Sequence, residues 1–83
     1  MSVERGSLVR VEAGKYKGLV MAVVDTNEAS VFVSDGRHRK LEKPKKLNPK
    51  HVKKLETVLE KEVSEYTDKM LWRELQQNVR LDR

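Results

Sequence analysis

The stretch that decides the fold is "GSLVRVEAGKYKGLVMAVVD", residues 6–25. Its second half, Leu19–Val24, is apolar without a break and carries three valines. A run of that length, rich in β-branched residues and bounded by glycine, reads as a strand and not a helix. Successive side chains of a strand point to opposite faces, so a strand apolar at every position needs cover on both. One face would look into a barrel. The other would need a lid from elsewhere in the chain. Upstream, "SLVRV" reads as a partner strand. "EAGKYKG" between them reads as a cationic turn bracketed by Gly14 and Gly18.

Working outward, "TNEA" at 26–29 is a polar turn and "SVFVS" the next strand. Asp35-Gly36 is a strong two-residue hairpin signal. It predicts that "RHRKLEK", residues 37–43, returns as a strand, ended by Pro44, which has no N–H for a ladder. In that strand Arg37, Arg39 and Leu41 would share one face, and His38, Lys40 and Glu42 the other. Asn48-Pro49 predicts a single helical turn with Asn as N-cap. A short fifth strand at His51–Leu55 follows, with a continuous helix from 49 as the competing reading.

Beyond Leu55 the apolar period changes. Thr57 and Glu60 have the spacing of a capping box, and Leu55, Val58, Leu59, Val63 and Tyr66 fall at helical spacing. Thr67 suits a second N-cap, with Leu71, Leu75 and Val79 on one stripe and Trp72 packing the tail beside it. Such short amphipathic helices must dock, and the outer face of "LVMAVV" is the natural place. The expected fold is mainly β: a small SH3-like barrel over residues 1–55, then a helical extension of one or two amphipathic helices over 56–83, in a single compact unit.

The chain of 83 residues allows one small domain, and it has no cysteine, so disulfides and thiolate metal sites are excluded. The N-terminus has no apolar signal core and no stretch approaches membrane-spanning length, which predicts a cytoplasmic protein with no membrane partner. Net charge is +5, and its distribution is uneven. Residues 1–54 carry 13 Lys/Arg against 6 Asp/Glu, whereas 55–83 carry 5 against 7. A basic half beside a slightly acidic one is the pattern of a protein with one face turned to a polyanion.

Residues 6–25 resemble a KOW motif, which is a strand, a basic glycine-containing loop and a second apolar strand. Gly14 and Gly18 match its loop glycines. The continuation "VFVSDGRHRKLEKPKKLNPKHV", residues 31–52, is similar to the bacterial KOW-domain RNA-binding proteins, themselves similar to KOW-bearing large-subunit ribosomal proteins of archaea and eukaryotes. The resemblance covers about residues 5–55. It implies RNA as partner, foremost structured ribosomal or translation-linked RNA; ribosomal proteins are a further partner class to be expected.

The candidate RNA-binding residues lie in three groups. Lys15, Tyr16 and Lys17 occupy the glycine-bracketed loop, with Tyr16 able to stack on an exposed base. Arg37, His38, Arg39, Lys40, Lys43, Lys45 and Lys46 form the densest cationic run, where arginine suits bidentate phosphate contact and lysine acts as a point charge. Lys50, His51, Lys53 and Lys54 extend it if the connector folds back. The bland alternatives are solvated turn lysines and an edge strand guarded by charge. His38 and His51, the two histidines, lie 13 positions apart with no cysteine and no obvious carboxylate frame in the sequence, so no metal site and no cofactor are expected. No nucleophile elbow, P-loop or HExxH pattern is present, so an enzyme is not expected. The competing function is a protein-interaction module that uses the helical tail.

Overall fold

The computed structural model describes residues 3–81, with side chains described through Asn78. Five strands form one antiparallel sheet: β1 Ser7–Val11, β2 Val20–Thr26, β3 Val31–Ser34, β4 Lys45–Leu47 and β5 Val52–Val58, in the order β4-β3-β2-β1-β5. A 3-10 turn at Pro49–His51 carries the chain from β4 across to β5, beside β1. A second 3-10 turn, Val63–Glu65, precedes the single helix α1, Asp68–Leu81. The protein is thus mainly β with one C-terminal helix.

The unbroken apolar run behaves as its pattern demands. In the β1–β2 ladder Leu8 lies opposite Ala22 and Val9 opposite Met21, so adjacent positions serve opposite faces. Val9, Val11, Met21, Val23, Val31 and Val33 form one buried cluster. Leu47 from β4 and Val52 from β5 pack against it, although those strands lie at opposite edges. The sheet therefore curls around this cluster like a small barrel. Leu8 and Ala22 belong to a second cluster with Leu59, Tyr66, Leu71 and Leu75. That is the lid: α1 covers the outer face of β2 with Leu71 and Leu75, both fully buried. Val79, the third position of the expected stripe, has its side chain outside the described residues.

Two sequence expectations are corrected, and one competing reading is set aside. First, residues 37–43 do not form a strand. They are a sequence of bends and a tight turn, and the returning strand is β4, which begins after Pro44 and not before it. The two-residue hairpin needs positive φ at both central residues, and among the described residues only glycines adopt it. Gly36 does, at φ 82°, but Asp35 does not. The alternation of faces from Arg37 to Glu42 falls with the strand.

Second, Thr57 does not start a helix. It lies in β5, which continues through Leu55 to Val58. The Glu60 amide donates to Glu74 Oε2 at 3.0 Å, so the α1 carboxylate, not Thr57, meets this segment. Leu59 and Tyr66 are buried as their spacing suggested, but from a turn-rich connection. Val58 is exposed. Third, a helix from residue 49 does not form. Asn48 Oδ1 accepts the Lys50 N–H at 2.9 Å and stops after one turn, as the preferred reading had it. Thr67 caps α1, its hydroxyl oxygen accepting the Met70 N–H at 3.2 Å.

Candidate nucleic-acid interface

The site begins with a buried carboxylate. Asp35 is 1% exposed. Its Oδ1 accepts the N–H groups of Arg37 and Arg39, at 2.9 and 3.0 Å, and its Oδ2 sits 2.6 Å from His38 Nδ1. Burial alone would push the Asp35 carboxyl up. The Arg39 and Arg37 amides and the His38 ring outweigh it, so its pKa lies below the ordinary 3.8. Because the carboxylate is ionised, His38 Nδ1 is the donor, and this fixes the ring's orientation. The Arg39 carbonyl accepts from Gly36 N–H at 3.0 Å and Ser34 Oγ–H at 2.6 Å. Residues 35–39 thus form a closed, internally bonded loop instead of a strand end.

That loop is clamped to the helix. The Leu41 N–H donates to Asp68 Oδ1 at 2.7 Å. Gly36 is buried against the Asp68 carbonyl so closely that a Cβ there would collide with it. The clamp sets Arg37 and His38 over the first turns of α1. The Arg37 guanidinium lies 5.1 Å from the Trp72 ring centroid, and the His38 and Trp72 rings meet edge-on at 5.7 Å. On its other side His38 meets Tyr16 edge-on at 6.3 Å. The Tyr16 hydroxyl donates to the His38 carbonyl at 3.4 Å, and Lys15 Nζ lies 5.6 Å from the Tyr16 ring. Lys15, Tyr16, His38, Trp72 and Arg37 therefore form a continuous cation–aromatic strip drawn from three separate segments.

Tyr16 also lines a groove of about 400 Å³. Gly14 and Lys15 from the β1–β2 loop line it together with Lys45, Lys46 and His51 from β4 and the 3-10 turn. The Glu12 N–H donates to the His51 carbonyl at 2.8 Å, tying the 3-10 turn to the end of β1. Five of the sequence candidates thus meet in one concavity, and the strip shares Tyr16 with it.

The remaining candidates stand apart from both features. Lys17 is exposed on the same loop, while Lys40 and Lys43 are exposed in the turn that leads to β4. Arg39 is half-buried, and its Nη2 donates to the Pro44 carbonyl at 3.4 Å, so it holds the loop's far end. Lys50 and Lys53 are exposed on the 3-10 turn and β5. Lys54 lines two other hollows, one with Arg5, Glu4 and Glu62, the other with Val3, Thr26 and Asn27.

Sequence reasoning gave Trp72 to the packing of the tail, whereas the structure sets it against Arg37 and His38 of the basic loop. The available signal was its position one residue off the Leu71–Leu75 stripe, which puts it at the rim of the helix's buried face. Comparison with models of known protein families and with curated proteins finds no match. No described helix is long and apolar enough to cross a membrane.

Proposed function

We propose that this is a non-enzymatic RNA-binding protein of the cytosol, contacting structured ribosomal or translation-linked RNA through the groove and the strip beside it. The observation that carries the reading is the convergence of Lys15 and Tyr16 with Lys45, Lys46 and His51 around one concavity, from segments about thirty residues apart. A polyanion backbone laid there meets several cations at once. The KOW resemblance of residues 6–25 supports the same partner. Recognition is by phosphate contact and shape, because duplex RNA hides its base edges in a deep major groove.

The competing reading, a protein-docking tail, loses support from the burial of Leu71 and Leu75. Within the described side chains, the helix's apolar stripe, Leu71 and Leu75, is spent on the sheet.

The test is RNA affinity measured by fluorescence anisotropy at two salt concentrations. From about 50 to about 200 mM salt the affinity should fall by at least about tenfold. The double variant Lys45→Glu with Lys46→Glu should weaken binding far more than Glu60→Lys with Glu62→Lys affects it. No RNA binding, salt-independent binding, or equal effects of the two double variants would overturn the proposal.

A further inference from the structure

The strip holds more aromatic surface than phosphate contact needs. Arg37 is exposed, yet its guanidinium is laid over Trp72. A guanidinium is planar and pairs with aromatic rings, and this one, exposed above Trp72, stays open to a ligand on its outer side. His38, with 41% of its side chain exposed, continues this surface toward Tyr16. The backbone beneath is fixed by the Asp35 carboxylate and by the seat of Gly36 on Asp68, and Asp35 also bonds the His38 ring, so this ring and the backbone that carries Arg37 are held in place before any ligand arrives. Preorganised aromatic and guanidinium planes beside a cationic groove are what unpaired bases stack upon.

We propose that Arg37, His38 and Tyr16, backed by Trp72, form a stacking platform for an unpaired RNA base, so that the protein selects looped or bulged RNA over continuous duplex. This rests on the RNA-binding reading above and adds a ligand class to it. The groove takes the phosphates of the flanking strand. The platform takes a base splayed out of the helix, which a fully paired stem does not present.

Trp72 is the single tryptophan of the chain, so its emission reports on the platform directly. The probes are an RNA hairpin with an unpaired loop, the same stem as a blunt duplex, and the hairpin with abasic loop positions. The hairpin should bind about tenfold more tightly than either control and quench Trp72, while the controls leave the emission unchanged. Arg37→Lys, which keeps the charge and loses the plane, should abolish the preference for the loop while the salt dependence stays. Tyr16→Ala should reduce the preference without touching the Arg37–Trp72 pair. Thermal melting of each variant checks that the fold is intact. Equal binding of hairpin and duplex with unchanged Trp72 emission, or an undiminished loop preference in Arg37→Lys, would overturn the platform and leave RNA binding standing. Failure of every RNA to bind would overturn both readings.

Discussion

Asp35 holds the basic loop in shape. Its carboxylate accepts two backbone amides and the His38 ring from within the protein. Replacing it with alanine leaves part-buried donors without their acceptor, which costs up to about 1–3 kcal/mol for each unsatisfied group. Asp35→Asn retains one acceptor and should cost less than Asp35→Ala in urea denaturation. Because the folded-state pKa is lowered, the contribution of Asp35 is fully present above its ordinary value of 3.8 and is lost as pH falls through the lower, folded value. The stability gap between the native protein and Asp35→Asn should therefore be constant from neutral pH to about pH 5 and close below pH 4. A gap unchanged at pH 2 would contradict this role.

Gly36 makes a steric argument of the same loop. Its positive φ and its contact with the Asp68 carbonyl leave no room for a Cβ. Gly36→Ala should lower stability by at least about 1–3 kcal/mol, read from the urea midpoint. It should also shift the Trp72 emission, because the loop must lift from α1.

Among the elements, β2 was the most legible. Its unbroken apolar run predicted two covered faces, and the barrel-like core and α1 supply them. The strand expected at 37–43 was not legible. The Asp-Gly signal is local, whereas the loop's shape depends on burial of Asp35 and on Asp68, some thirty residues further along the chain. The 57–66 segment misled for a related reason. Leu59, Val63 and Tyr66 do face the core while Val58 does not, and Glu74 on α1 takes the Glu60 amide and the Tyr66 hydroxyl, the latter at 2.6 Å. A helical period in sequence does not reveal that a distant carboxylate holds the segment as turns.

Two outcomes belong at this scale. Leu75→Ala should destabilise by about 2–5 kcal/mol in urea unfolding, since Leu75 is fully buried between α1 and the sheet. Burial first, and then Glu74, raise the Tyr66 hydroxyl to about 12. The folded value lies above the ordinary 10.0, so this contribution is complete below pH 10 and disappears as pH rises towards 12. Tyr66→Phe should flatten the alkaline limb of the stability curve.

For the whole molecule, the sequence's charge asymmetry pointed to a basic face but not to its composition. Of the candidates read from the sequence, Lys15, Tyr16, Lys45, Lys46 and His51 share the groove, and Arg37 and His38 share the strip with Tyr16. Lys54 faces other hollows because β5 pairs with β1. Spacing along a chain cannot show which lysines a curled sheet gathers. The central claim is that groove and strip form one RNA interface. The most direct measurement is an NMR titration of backbone amides with a looped RNA hairpin. The account predicts that the largest shifts fall at residues 13–17, 36–39, 45–51 and 72. Shifts concentrated around Arg5, Lys54 and Glu62, or spread evenly over the surface, would contradict it.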